Sequence, residues 1–317
     1  MCRVNVTILI GFVLLIACKQ GGNDEKTIVK DPEPLSIVWS KDVPAKHDII
    51  NGAAVTFNDE IYVLAGMEGR LMKYNPTTYQ WVDLAGMPTP RTEAGVTLWN
   101  DKLVVAGGVD DSAKILSRVD YYDLTNQVWK IMTPLPSPRA RLSLTVYNNR
   151  IYANGGVCGE VEQFNTNCEE ILYYNDDSRN WNLQNKLKMG RSGHASVTIG
   201  DGMYMIGGYG ADPKAGTVYL NHAKREFGFM NELPTPRGNF GAIPVGDFIV
   251  TFGGRARSSF SPAEKFNTKT QKWDEMNDCG FWTDRFAYTR WKDRIYVFGG
   301  SQAPTQVWKG DIVFAKQ

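Results

Sequence analysis

The chain has 317 residues, of which 43% are hydrophobic, 12% aromatic and 22% charged. That composition excludes a disordered or collagen-like chain. A balance of 35 basic against 34 acidic residues argues against a general nucleic-acid binder, which carries a basic excess. Length alone sets a prior of about two domains, and nine Trp and 14 Tyr beside 31 Gly favour strands and tight turns over helices.

At the N-terminus, Met1-Cys2-Arg3 carries one positive charge and is followed by an apolar run from Val4 to Ala17. The run is too short to span a bilayer and has the length of a signal-peptide core. It ends in Leu15-Ile16-Ala17-Cys18, which resembles the bacterial lipobox. The resemblance implies a lipoprotein signal peptide over residues 1–17, cleavage before Cys18, and lipidation of the Cys18 sulfur. The alternative is an ordinary secretory signal with an incidental cysteine. Lys19 in place of Asp implies, by the same resemblance, an exported bacterial lipoprotein of the outer membrane, facing the periplasm or the cell surface. Residues 18–34 then form the lipidated cysteine and a polar, flexible tether, which extends to about 55 Å.

The rest of the chain repeats. A Gly-Gly or Ala-Gly pair closes a strand-like run at Ala65-Gly66, Gly107-Gly108, Gly155-Gly156, Gly207-Gly208, Gly253-Gly254 and Gly299-Gly300. An aromatic series, Trp39, Trp81, Trp129, Trp181, Phe227 and Trp273, advances by the same intervals of 42, 48, 52, 46 and 46 residues. Ten residues after each aromatic stand Ile49, Arg91, Arg139, Arg191, Arg237 and Thr283. Each unit reads as four short strands. The first pair is joined by turns such as Asn58-Asp59, Asn100-Asp101 and Asn148-Asn149, residues that tolerate the positive φ of two-residue hairpins.

Paired glycines, an aromatic and then Trp at a period near 50 resemble the kelch repeat of β-propellers. The likeness covers roughly residues 35–314, and departs from the common pattern at Ala65, Phe227 and Thr283. It implies an all-β fold: a six-bladed propeller over residues 35–317, one domain where length suggested two. Residues 35–41 form a lone fourth-type strand, and the C-terminus ends on a third-type strand, Gln306 to Phe314. The N-terminal strand is therefore expected to complete the C-terminal blade and close the ring, which removes exposed sheet edges.

Length variation separates scaffold from site. The distance from the third-strand residue Tyr74, Tyr122, Tyr174, Leu220 or Phe266 to the next second glycine is always 34 residues, whereas the gap from a glycine pair to that residue runs 8, 14, 18, 12 and 12. The loops joining second to third strands therefore vary, and insertion-tolerant loops are where sites are built. They are expected to share a face with the loops leading into each first strand. Those incoming loops carry Asn51, Glu93, Arg141, Gly193, Asn239 and Arg285 at one equivalent position, with His194 one further on. The variable loops add Tyr209, Arg255 and Arg257, and Trp282 offers a stacking surface. Arginine forks suit carboxylates and other planar anions, so these residues are the candidate ligand-binding set, for a ligand with an anionic group. The periodic Arg91, Arg139, Arg191 and Arg237 read as scaffold.

Cys158 and Cys168 bracket the longest variable loop, and in an exported protein they are expected to pair. Cys279 reads as a buried small residue. With three His and no metal-ligand spacing, no metal site is expected, and no cofactor. No nucleophile elbow or phosphate-cradling loop is present. The chain reads as a monomeric, non-catalytic binding module for a small sugar, a glycan or a protein, attached to the membrane by its lipid. The alternative is an enzyme. Blade number, export and units such as Pro90-Arg91-Thr92-Glu93 resemble the sialic acid mutarotases (N-acetylneuraminate epimerases). That likeness implies a general acid and base with an Arg for the carboxylate. Glu93, Arg141 and Arg285 are the catalytic candidates.

Overall fold

The computed structural model describes residues 32–159, 166–210, 216–221, 226–256 and 262–316. The expected signal peptide, the expected lipidation site Cys18, nearly all of the expected tether, and Arg257 lie outside the described residues. From Asp31 to Gln317 the chain is one compact unit. It consists of six four-stranded antiparallel sheets with three two-stranded sheets beside them. The six-bladed kelch arrangement expected from the repeat is therefore the observed fold.

Position within a blade dictates the burial pattern. The innermost strands are Ala53–Phe57, Gly95–Trp99, Ser143–Tyr147, Ala195–Ile199, Gly241–Val245 and Ala287–Trp291. Second strands are covered on both faces by neighbouring blades, so Gly202–Ile206 and Phe248–Phe252 are buried throughout. Outermost strands such as Lys272–Asp278 expose most of their residues. The first hairpins turn where expected: Asn58, Asp59, Asn100, Asn148 and Asn149 all hold positive φ between 47° and 62°. The outer hairpins carry a second device. Asn75 and Asn267 each accept two backbone N–H bonds through Oδ1, at 2.8 to 3.0 Å.

One backbone contact explains why the glycine and Arg series keep step. The second glycine of a pair donates its N–H to the carbonyl at the Arg-equivalent position of the next blade. Gly108 donates to Arg139, Gly156 to Arg191, Gly208 to Arg237, Gly254 to Thr283 and Gly300 to Ile49, at 2.7 to 3.0 Å. A Cβ on Gly107 would lie 2.1 Å from the Arg139 carbonyl oxygen, so this approach requires glycine. Since a backbone carbonyl is what the neighbour reads, Thr283 and Ile49 serve as well as Arg. Where Arg is present, its side chain works within its own blade. Arg91 Nε donates to the Gly107 carbonyl at 2.8 Å, and Arg139 and Arg191 donate through Nη1 to Gly155 and Gly207 at 3.3 Å. These guanidiniums are buried scaffold. In the first blade Ala65 pairs with Arg70 as the end of a longer strand, Glu60–Ala65, and no left-handed residue is needed there.

The outer aromatics bind blade to blade. Trp129, Trp181 and Trp273 donate their indole N–H to the carbonyls of Ala85, Thr133 and Asn231 in the preceding blade, at 2.7, 3.0 and 3.1 Å. Phe227 retains packing against a buried cluster, without the bond. The ring closes as expected. Pro34–Asp42 pairs antiparallel with Val307–Phe314, the latter starting one residue later than the sequence suggests. Asn277 of the fifth blade locks this strand by bonding both the N–H and the carbonyl of Ile37, at 2.8 and 2.7 Å.

Candidate functional site

The six equivalent residues of the incoming loops share one conformation. Asn51, Glu93, Arg141, Gly193, Asn239 and Arg285 hold φ of 52°, 57°, 53°, 59°, 53° and 58°. Left-handed backbone costs a non-glycine residue about 1 kcal/mol or more. A chain of backbone bonds sustains it. Arg141 N–H donates to Glu93, Gly193 to Arg141, Asn239 to Gly193 and Asn51 to Arg285 at 2.7 to 2.9 Å, and Arg285 to Asn239 at 3.4 Å. Loops of successive blades are thus laced into a collar around the channel, and all six residues line a cavity of about 200 Å³ at its mouth.

The variable loops meet the collar from outside. Arg139–Ala140 pairs with Val157–Cys158, Arg191–Ser192 with Tyr209–Gly210, and Arg237–Gly238 with Arg255–Ala256. These pairings put the incoming and variable loops on one face, as the length variation indicated. In the second and third blades the junction is sealed by a small apolar cluster of Val109, Ile115, Ala140 and Val157. In the fourth and fifth it presents Tyr209 and Arg255, both exposed.

Of the predicted residues, Asn51, Glu93, Arg141, His194, Asn239 and Arg285 line the cavity. Arg141 Nε lies 2.8 Å from Glu93 Oε2, while Arg285 Nε is 3.8 Å from Asp284 Oδ2. Ser301 donates to the other Asp284 oxygen. Tyr209 does not line the cavity but stands on its rim. A Cβ on Gly193 would meet Asn239 Oδ1 at 2.6 Å and the Tyr209 ring at 3.3 Å, so the missing side chain makes room for both. Burial raises the Tyr209 pKa, and Asp284 adds to the rise, while Arg255, Arg285 and Arg141 oppose it. The hydroxyl thus lies within the field of one carboxylate and three guanidiniums. Trp282 is 47% exposed and outside the cavity lining.

Sequence reasoning missed the inner wall. Ser143, Ser196, Phe240, Phe286 and Tyr288 also line the cavity. His194 Nε2 is 2.8 Å from Ser143 Oγ, Ser143 Oγ is 2.5 Å from Ser196 Oγ, and Asn154 Nδ2 donates to Ser196 at 3.2 Å. Burial, with Arg191 nearby, pushes His194 down to about 3, so its ring is neutral. A usable signal existed in the position after the collar residue, which reads Gly52, Ala94, Leu142, His194, Phe240 and Phe286 and lines the cavity in every blade.

Cys158 and Cys168 form the expected disulfide, with Cα atoms 5.4 Å apart. Cys279 is free and buried, and its thiol is pushed up to about 12 chiefly by burial. Among the described residues, the one group with metal-ligand proximity is Cys158, Cys168 and Glu170, in which the disulfide occupies both sulfurs.

Residues 30–208 match the KLHDC2/KLHL20/DRC7 Kelch-repeats domain; the chain belongs to the kelch-repeat family. It is 30% identical to Kelch-like protein 40 of Xenopus tropicalis over 100 residues, 30% of this chain and 16% of that protein. It is 31% identical to Kelch-like protein 35 of Mus musculus over 108 residues, 34% of this chain and 18% of that protein. The aligned segments span less than a fifth of those relatives. Among solved structures, the propeller described as "Structure of YjhT" superposes with a TM-score of 0.74 at 17% identity, covering 87% of this chain and 97% of that one. That likeness is one of fold.

Proposed function

We propose that the protein is an exported, lipid-anchored binding propeller, which captures a small carbohydrate with an anionic group, or such a group on a larger glycan or protein, at the mouth of its channel. The observation that carries this reading is the convergence of Arg141 and Arg285 on one small cavity, with Arg255 acting on the rim beside them. Guanidinium forks in a partly enclosed site favour a carboxylate. A cavity of about 200 Å³ is below the ~300–1,000 Å³ of sites for drug-sized ligands, so the bound group is of monosaccharide size. Tyr209 offers a ring face on its rim, against Gly193 of the collar.

The mutarotase alternative draws on the same cavity, because Glu93 and the Tyr209 hydroxyl stand beside the arginines that would hold a carboxylate, as acid–base chemistry at a sugar carbon requires. Calorimetric titration of N-acetylneuraminate, glucuronate and their neutral counterparts tests the binding reading. Acids are expected to bind, with an affinity that falls as salt is raised and drops at least tenfold in Arg141→Gln/Arg285→Gln. Equal binding of neutral and acidic sugars refutes it. One-dimensional NMR of freshly dissolved N-acetylneuraminate, with and without protein, separates binder from mutarotase. Retention of the Cys18→Ser variant in the membrane fraction would overturn the lipid anchor.

A further inference from the structure

The cavity wall is chemically divided. Ser143, Ser196 and His194, from the third and fourth blades, form its hydrogen-bonding side, backed by buried Asn154. Phe240, Phe286 and Tyr288, from the fifth and sixth, form its aromatic side. Phe286 and Tyr288 pack edge to face with centroids 5.9 Å apart. In a ring of six the third blade stands opposite the sixth, so a guest lies between hydroxyls and aromatic faces. The arginines belong to the collar, and Ser143 and Ser196 follow it by two and three residues along their strands, roughly 7 to 10 Å further along the channel.

Hydrogen-bonding capacity defines what this inner wall can read. A hydroxyl has one proton and two acceptor pairs, and a neutral imidazole is a donor at one nitrogen and an acceptor at the other. Ser196 accepts from Asn154. If protons run from Ser196 to Ser143 to His194 Nε2, one acceptor pair on each serine stays open. If they run from His194 to Ser143 to Ser196, Ser143 keeps an acceptor pair and Ser196 keeps its own proton. The chain thus switches between accepting and donating without any charge change, which is the behaviour of a hydroxyl group itself. A carboxylate, which only accepts, is served better by the collar.

We propose that Ser143, Ser196 and His194 form a hydroxyl-reading subsite beneath the anion-binding collar, so that the ligand is a polyhydroxylated acid, seated with hydroxyls inward and its acidic group at Arg141 and Arg285. This rests on the anion-binding reading above and adds the residues that read the hydroxyls and the orientation in which the ligand sits. A hydroxylated ring matches the division of the wall: its edge bonds the serines and its apolar face lies on Phe286 and Tyr288.

The test titrates the full mature protein with glucuronate, N-acetylneuraminate and cyclohexanecarboxylate, the last a ring acid without hydroxyls. At least one sugar acid is expected to bind ten times or more tighter than cyclohexanecarboxylate. In Ser143→Ala/Ser196→Ala that preference is expected to shrink to threefold or less, through loss of sugar-acid affinity with cyclohexanecarboxylate unchanged. Arg141→Gln/Arg285→Gln is expected to weaken all three. Equal affinity of wild-type protein for the hydroxylated and plain acids overturns the subsite and leaves the anion reading standing. Failure of all three acids to bind overturns both. The wild-type comparison needs no variant, so it decides the matter even if the double alanine protein does not fold.

Discussion

His194 couples the candidate site to stability in a measurable way. Its ring is buried between the third and fourth blades, bonded to Ser143 and lying in the field of Arg191. Burial first, and then Arg191, push its pKa down to about 3, whereas an unfolded histidine titrates near 6.5. Because the folded value is the lower one, the unfolded chain takes up the proton first on acidification. The histidine's contribution is therefore fully present above pH 6.5 and is lost as pH falls toward 3. Full coupling of one proton changes stability by about 1.4 kcal/mol per pH unit, or about 3 kcal/mol between pH 6.5 and 4. That is a large share of the 5–15 kcal/mol typical of a folded domain. The assay is urea unfolding of the wild type and His194→Asn at pH 7.5, 6.5, 5 and 4. Both proteins carry the same other titrating groups, so the difference between them isolates position 194. The wild type is expected to be the more stable at pH 7.5 and to lose about 3 kcal/mol more than the variant by pH 4. Parallel stability curves, or an NMR titration placing the His194 pKa above 5.5, would refute the reasoning.

Three further outcomes follow from the scaffold. Glu264 and Arg237 form a fully buried ion pair at 2.8 Å, with Glu264 also accepting from Thr235 N–H at 2.9 Å. Glu264→Ala strands a buried guanidinium and is expected to cost about 3–5 kcal/mol, whereas Arg237→Met/Glu264→Leu removes both charges and is expected to cost much less; a double variant as unstable as the single one in denaturant melts counts against this. Gly107→Ala places a methyl on the Arg139 carbonyl and holds alanine at φ 66°, so it is expected to cost more than the ~1 kcal/mol of the left-handed backbone alone, read as a drop in thermal midpoint. Reducing the Cys158–Cys168 bond releases a loop with a sequence separation of ten, and is expected to remove about 2–3 kcal/mol; an unchanged melting curve after confirmed reduction contradicts it.

How much could be read in advance depended on which contacts run along the repeat and which run across it. The glycine pair, the Arg-equivalent carbonyl and the outer tryptophan are joined by bonds that recur from blade to blade. Their spacing is therefore locked, and the blade number, the ring closure and the face shared by the incoming and variable loops were all legible. The collar was legible too, because its left-handed backbone falls at one fixed place in each blade. Contacts made once were not. Ser143 meets His194 and Ser196 from 51 and 53 residues away, and nothing about an isolated serine marks it as the partner of a histidine one blade on. The Tyr209 ring covers Gly193 only because the collar has no side chain there, an omission that looks, in sequence, like one more turn glycine.

The same distinction indicates where function resides. A bond repeated in every blade supports the ring and has no means of telling one ligand from another. Recognition needs the positions where the blades differ while the backbone does not. At the collar the conformation is common to all six residues, yet the side chains pass through amide, carboxylate, guanidinium and none at all. One residue further the series changes from small in the first two blades to aliphatic, imidazole and finally aromatic. Nearly equal totals of acidic and basic residues conceal this, since most of the charge lies elsewhere on the scaffold. The asymmetric mouth, with arginines and carboxylates together at its collar and hydroxyl and aromatic walls within, is built from the residues that break the repeat.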